Sequence, residues 1–200
     1  MTQTCITEGM RDVVHHTQAC FRQVLTALSE PGSRHTLGRH PGFGDMSAAA
    51  SEVVLSLCDG STPLWLSPRL ANQPEIGANL HFHCGVNLVD ETRAASFAVI
   101  GRGDHGAYVA KDFALGSEEY PDRSATVIIE VDQLDRGLTL AISGPGIAGR
   151  QQICLGDLDP AWLHTLREGR FPLGLDLLFV AGSELLALPR TTVVEVLACT

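Results

Sequence analysis

Apolar residues near the start of the chain recur at helical spacing. Four of them follow the i, i+3, i+4, i+7 pattern: Phe21, Val24, Leu25 and Leu28. This spacing predicts that residues 9–29 form an amphipathic helix with one apolar stripe. Residues 31–32 are Pro-Gly and end it, because proline cannot continue a helix and glycine accommodates the turn. Residues 33–44 are rich in Gly, Pro, His and Arg and are expected to be loop.

Three further segments have the caps and the periodicity of helices. The first covers residues 47–58, with Asp45 or Ser47 as its N-cap. The others begin at Pro74 and at residues 159–160, since the missing N–H of proline costs nothing in a first turn, and the last runs to residue 169. Their apolar positions are Val53, Val54 and Leu57, then Ile76 and Leu80, then Trp162, Leu163 and Leu166.

Short runs of β-branched and other apolar residues predict strands between these helices. The runs cover residues 62–67, 95–100, 126–131, 138–143, 175–181, 185–188 and 193–197. Residues 101–124 are polar and Gly-rich and predict a long connection with one short helix. Helices and strands alternate in the first half, and strands come in close pairs in the second. The pattern predicts one α/β domain over residues 1–200, layered around a mixed sheet.

The composition is compatible with binding to other protein chains but does not require it. Charged residues make up 18% of the chain, below the roughly 25% typical of globular domains. This low fraction is consistent with a protein that buries apolar surface against other chains. It is equally consistent with a well-packed monomer that has many small residues.

The charge balance argues against two classes of partner. The formal net charge is −9, and the 13 arginines are scattered with no basic run. Nucleic-acid binding and membrane-surface binding both usually require a basic face. No apolar stretch approaches the roughly 20 residues of a membrane span.

The six cysteines do not form a recognisable metal or redox motif. They are Cys5, Cys20, Cys58, Cys84, Cys154 and Cys199, and none forms a C-x-x-C pair. The first ten residues lack the basic and apolar segments of a secretory signal. We therefore expect a cytoplasmic protein with reduced thiols, most of them buried as small hydrophobic side chains.

Residues 144–149 read G-P-G-I-A-G, which fits the G-x-G-x-x-G pattern of dinucleotide sites. In such sites the glycines open a helix whose backbone N–H groups approach a pyrophosphate. Here residues 150–156 do not have a helical pattern. Too few βαβ units follow, and the nearby Glu168 ends a helix, whereas the expected acid ends a strand. The motif is interpreted as a structural turn.

Other candidate chemistry is sparse. His81 and His83 would share one face of a strand, as metal ligands can, but they lie at a predicted helix end and are interpreted as surface or capping residues. Neither a G-x-S-x-G elbow nor a phosphate-binding G-x-x-x-x-G-K-[ST] loop occurs. Lys111 is the single lysine, and its polar surroundings do not favour a Schiff base with pyridoxal phosphate.

The C-terminal third holds the strongest ligand candidates. Arg190 follows a proline and precedes Thr191 and Thr192, so a fork of N–H donors would stand beside two hydroxyls, which suits phosphate or carboxylate. The alternative, which we favour, is that Arg190 pairs with an internal acid such as Asp176, while the threonines begin a strand.

Several motifs, in order, resemble the H-subunit family of the carbon–phosphorus lyase system. They are F-R…L-S-E-P-G (21–32), T-P-L-W-L (62–66), L-H-F-H (80–83), G-P-G-I (144–147), F-P-L-G-L-D (171–176) and L-P-R-T-T-V-V-E (188–195). They span about residues 20–196, and the closing pair is the most specific. His81 departs from the arginine of the family pattern, and residues 101–124 have no counterpart.

The resemblance carries expectations about fold and role. It implies an α/β/α sandwich shaped like the large domain of pyridoxal-phosphate transferases, without that cofactor. It also implies a homodimer that joins the G, I and J subunits in a core complex. That complex couples a phosphonate to the ribose of ATP with loss of adenine, before the J subunit cleaves the C–P bond. The resemblance assigns no catalytic, cofactor-binding or metal-binding residue, so the expected role is that of a non-catalytic but obligatory subunit.

Overall fold

A mixed sheet of seven strands forms the centre of the fold. The structure is a computed structural model that describes residues 6–38 and 40–197. The helices are α1 (Val13–Ser29), α2 (Ala48–Leu57), α3 (Pro68–Ala71), α4 (Pro74–Cys84) and α5 (Pro160–Leu166). The strands are β1 (Arg34–Thr36), β2 (Pro63–Leu66), β3 (Asn87–Leu88), β4 (Phe97–Ile100), β5 (Thr126–Glu130), β6 (Thr139–Ser143), β7 (Gln151–Cys154), β8 (Asp176–Ala181), β9 (Glu184–Leu188) and β10 (Val193–Val196).

The main sheet has the order β1-β9-β8-β5-β4-β2-β3. Strands β8, β5, β4, β2 and β3 pair in parallel, and β9 joins antiparallel to both β8 and β1. The central strands are buried on both faces, which explains their continuous apolar sequences, such as T-V-I-I-E in β5. The predicted mixed sheet is confirmed.

Each face of this sheet is covered by a different layer. Helices α1, α2 and α4 pack on one face through residues that include Val24, Val53 and Leu80. The other face carries α5 and part of a second sheet, through residues that include Trp162 and Ile142. The pleat sends alternate side chains of β2 and β4 into the two cores.

The second sheet is antiparallel and has the order β10-β6-β7. Residues 144–149 form the hairpin turn between β6 and β7, so the structural interpretation of G-P-G-I-A-G is confirmed. Gly146 has a positive φ of 81°. A Cβ there would overlap the backbone oxygen of Ser29, so only glycine lets the hairpin rest against the end of α1.

The predicted helix α1 is confirmed, but only part of its apolar stripe is buried. Val24 is buried and Leu28 half-buried, but Phe21 and Leu25 are 46% and 49% exposed. The apolar arc is wider than the side of the helix that meets the core, and that side carries Cys20, Val24 and Ala27. The helix also begins at Val13, later than the predicted residue 9.

The other predicted helices are confirmed with small shifts of their ends. Ser47 is the N-cap of α2 and accepts a 3.3 Å hydrogen bond from the Ala50 N–H. Asp159 caps α5 in the same way, through the Ala161 N–H at 2.8 Å. Gly85, with φ of 65°, ends α4 in the left-handed conformation. None of the helices within the described ranges is long and apolar enough to cross a bilayer.

Several short elements were not predicted. The expected loop 33–44 contains β1, an edge strand that pairs with β9. The segment after the G-P-G-I-A-G turn is β7, and α3 and β3 are likewise additional. The connection 101–124, expected to hold one short helix, holds three 3-10 turns: Arg102–Asp104, Ala110–Asp112 and Pro121–Arg123. Of the six cysteines, Cys5 and Cys199 lie outside the described residues, and Cys20 and Cys58 are buried as expected.

Candidate functional site: the Arg190–Asp176 pair and the cavities beside it

The two C-terminal motifs meet because of the register between β8 and β9. Leu177 in β8 pairs with Leu188 in β9, and the strands are antiparallel. The chain therefore enters β8 beside the point where it leaves β9. This places Asp176, the first residue of β8, opposite Arg190, two residues after β9.

Asp176 and Arg190 form the internal ion pair that we favoured from the sequence. Asp176 Oδ1 accepts from the Arg190 backbone N–H at 2.9 Å and from its Nε–H at 3.2 Å. Asp176 Oδ2 accepts from Arg190 Nη2 at 2.5 Å. Their side chains are 15% (Arg190) and 25% (Asp176) exposed, so the pair is largely removed from water.

The remaining N–H groups of Arg190 are also occupied. Nη1 donates to the Pro121 oxygen at 2.8 Å and to the Pro172 oxygen at 3.3 Å, and Nη2 donates to the Ser124 hydroxyl. A guanidinium has five N–H donors, and all five are directed at protein acceptors. Arg190 thus ties four chain segments together and has no N–H left for a ligand.

Two cavities flank this pair, and the two threonines line different ones. The first has a volume of about 320 Å³ and is mostly apolar, with Thr191, Phe171 and three prolines in its wall. The second has a volume of about 430 Å³ and is lined by Thr192 together with α5 and β10 residues. Arg190 lies between the cavities and lines both. The structure thus brings all four candidate residues together but separates the two hydroxyls.

Arg167, which the sequence did not single out, enters the second cavity from the end of α5. Its Nη1 donates to the Leu188 oxygen at 3.4 Å, and its Nη2 donates to the Pro189 oxygen at 3.3 Å and to the Thr192 oxygen. Burial lowers the pKa of Arg167 from its ordinary value. No local signal marks this arginine, because its acceptors lie more than twenty residues further along the chain.

A buried carboxylate and an imidazole lie at the carboxyl end of the parallel strands. Glu130 ends β5, and its Oε1 accepts from the Ser47 N–H at 2.6 Å. Burial raises the pKa of Glu130 and lowers that of His105. His105 Nε2 lies 2.7 Å from the Glu130 backbone oxygen, and its ring stacks on Trp162 at 4.8 Å between centroids. Glu130 could have been identified from the sequence as the single acidic residue at the end of an apolar strand.

His81 and Lys111 lie on the surface, as expected, whereas His83 is half-buried and stacks on Phe43. His81 is exposed, and His83 contacts the Thr7 backbone oxygen through Nε2 at 2.9 Å. Lys111 is exposed on a 3-10 turn. Within residues 6–38 and 40–197, no group of three or more His, Cys, Asp or Glu side chains could hold a metal ion.

A larger cleft of about 550 Å³ lies at the opposite edge of the main sheet, beside Trp65 and Tyr108. Its charged lining is mostly acidic, with Asp90, Glu91 and Asp112 against one arginine. Such a lining repels anions, so this cleft does not suit a phosphonate or a nucleotide phosphate.

Comparisons with known proteins agree with the motif resemblance. The family model "Bacterial phosphonate metabolism protein (PhnH)" matches residues 8–195. The chain is 36% identical over 189 residues to "Alpha-D-ribose 1-methylphosphonate 5-triphosphate synthase subunit PhnH" of Rhizobium meliloti (strain 1021), covering 92% of each chain. It is 33% identical over 177 residues to "Putative C-P lyase subunit protein HtxG" of Stutzerimonas stutzeri, covering 88% of this chain and 84% of that one. This chain therefore belongs to the PhnH family of bacterial phosphonate metabolism proteins.

Proposed function

We propose that this chain is a non-catalytic, obligatory subunit of a carbon–phosphorus lyase core complex. The complex would couple a phosphonate to the ribose of ATP, with loss of adenine, before the C–P bond is cleaved. The chain would act in the cytoplasm as a single domain, without a cofactor, as a homodimer joined to the G, I and J subunits. The names of its relatives from R. meliloti and S. stutzeri, a synthase subunit and a putative C-P lyase subunit, support this role.

The exposed apolar face of α1 is the structural observation that carries the proposal. Val14, Phe21 and Leu25 follow one another at spacings of seven and four residues, so they lie on one stripe of the helix. All three are exposed. Exposed apolar residues along one side of a surface helix are typical of a face that is covered by another chain.

Co-expression with the G, I and J subunits of the same operon tests the proposal directly. A tag on this chain should recover a complex of defined mass. The double substitution Phe21→Ser and Leu25→Ser should reduce that recovery while leaving the melting temperature of the isolated chain nearly unchanged, because both side chains are exposed. Arg22→Ser, an exposed neighbour on α1, is the matched control. Recovery of the chain alone, at low and at high salt, would contradict the proposal.

The second candidate function is a ligand-binding surface for a nucleotide or a phosphonate, built by Arg190, Thr191, Thr192 and Asp176. The two cavities beside Arg190 favour it. The complete pairing of Arg190 argues against a direct contact between its guanidinium and a ligand. We therefore assign Arg190 and Asp176 the role of holding the walls of these cavities in place.

We also propose that the fold resembles the large domain of the pyridoxal-phosphate transferases. The central parallel strands, with helices on one face, support a layered architecture of that kind. The second sheet shares the other face with α5, which departs from a simple α/β/α sandwich. Exposure of the single lysine, Lys111, supports a role without a Schiff base.

A further inference from the structure

The cavity between α5 and β10 has two arginines and one glutamate in its wall. The ionisable residues that line it are Arg167, Arg190, His164 and Glu168. Asp176 already neutralises Arg190, and Glu168 is exposed. Arg167 forms no ion pair within the described residues and interacts with the charge of Asp176 only over a longer distance.

The partners of Arg167 are all neutral. They are the backbone oxygens of Leu188, Pro189 and Thr192, and no carboxylate forms an ion pair with Arg167 in the part of the chain that the structure describes. These three bonds use three of its five N–H donors and leave the Nε–H and one Nη1–H without a protein acceptor among the described residues. A largely buried arginine that has no directly paired carboxylate is stabilised when an anion binds to its free N–H groups.

Thr192 provides a second, independent sign of a missing partner. The residue is 4% exposed and lines the same cavity. Its hydroxyl has no hydrogen-bond partner among the described residues. Buried hydroxyls are usually paired, and one that is not requires an explanation. A threonine hydroxyl can rotate to donate to an anion.

We propose that this cavity binds the tetrahedral oxyanion of a phosphonate or phosphate group, held by the free N–H groups of Arg167 and the hydroxyl of Thr192. His164 would lie at the wall of the site. A volume of about 430 Å³ accommodates a small ligand or the phosphate end of a larger one. The inference deepens the second candidate function, since it moves the anion contact from Arg190 to Arg167 and names the class of ligand.

Calorimetric titration of the purified full chain tests the site. The probes are methylphosphonate, inorganic phosphate and ATP, each at constant ionic strength set with chloride. The wild type should bind at least one of them. Methylphosphonate or phosphate binding would indicate a small free oxyanion, whereas binding of ATP alone would indicate the phosphate chain of a nucleotide.

The substitution Thr192→Val is the decisive variant, because it removes the hydroxyl with little change in shape. It should weaken binding by about 10- to 100-fold, the range for a hydrogen bond to a charged group. Its melting temperature without ligand should be equal to or above that of the wild type, since an unpaired buried hydroxyl is lost. Thr36→Val, at an exposed residue of β1 that lines neither cavity, is the matched control and should bind like the wild type.

Arg167→Lys keeps the charge but loses the planar fork and should also weaken binding. The proposal is overturned if the wild type binds none of the three probes, or if Thr192→Val binds as tightly as Thr36→Val. Co-purification of Thr192→Val with the G, I and J subunits distinguishes failure of the anion site from failure of the subunit role. A variant that assembles but has lost the anion supports both the site and the subunit role.

Discussion

The pairing of Asp176 with Arg190 gives a prediction whose size follows from its burial. Asp176→Asn keeps the shape of the side chain and one acceptor oxygen, so the bonds from the Arg190 backbone N–H and Nε–H can persist. The charge is lost, and an amide nitrogen replaces the oxygen that accepts from Nη2. Arg190 then remains largely buried without its counter-ion.

The expected loss of stability lies between two known limits. Breaking a fully buried ion pair by removing one partner costs about 3–5 kcal/mol, whereas an exposed pair contributes about 0–1 kcal/mol. With exposures of 15% and 25%, this pair lies nearer the buried limit. We expect Asp176→Asn to lower the free energy of unfolding by roughly 2–4 kcal/mol. For a chain of this size this corresponds to a fall of roughly 4–16 °C in melting temperature.

Urea denaturation followed by tryptophan fluorescence measures this free energy. The matched control is Glu195→Gln, which breaks the pair between Arg150 and Glu195, whose side chains are 58% and 62% exposed. That substitution should cost less than about 1 kcal/mol. Equal losses in the two variants, within about 0.5 kcal/mol, would refute the reasoning that burial makes the Arg190 pair important for stability.

Two further predictions concern pH. Burial raises the folded-state pKa of Glu130 above the ordinary 4.5, so its contribution to stability is present below that pH and is lost as the pH rises through the folded pKa. Glu130→Gln should therefore gain melting temperature relative to the wild type between about pH 4.5 and pH 8, and a constant difference would contradict this. Burial lowers the folded-state pKa of His105 below 6.5, so its contribution is lost as the pH falls. His105→Gln should lose less melting temperature than the wild type between about pH 7 and pH 5, and an equal loss would show that His105 does not carry this dependence.

The elements that the sequence predicted well are those whose local pattern matches their final environment. Helix α2 has both its cap residue, Ser47, and a buried apolar face. Strands β5 and β8 are continuous apolar runs because both of their faces are covered. The Arg190–Asp176 pair was also foreseeable, since two motifs with opposite charges flank one predicted pair of strands.

The elements that the sequence missed depend on tertiary partners. Strands β1 and β7 are short and polar, and they are strands only because β9 and β6 supply hydrogen bonds. Nothing in the local pattern of β6 separates it from the main sheet. Exposure of Phe21 could not be predicted, because periodicity identifies an apolar arc but not how much of that arc another element covers.

Because β1 pairs with β9, the fold cannot be completed until most of the chain has been synthesised. Arg34 pairs with Leu186, and α1 and α2 bury their apolar sides against residues of β8 and β9. At a ribosomal rate of about 5–20 residues per second, roughly 8–30 s pass between synthesis of β1 and of its partner. During that interval the nascent chain presents Val24, Val53 and their neighbours without β8 and β9 to cover them. Ribosome-bound chains that stop short of β9 should therefore be captured by chaperones, and those that include it should be released.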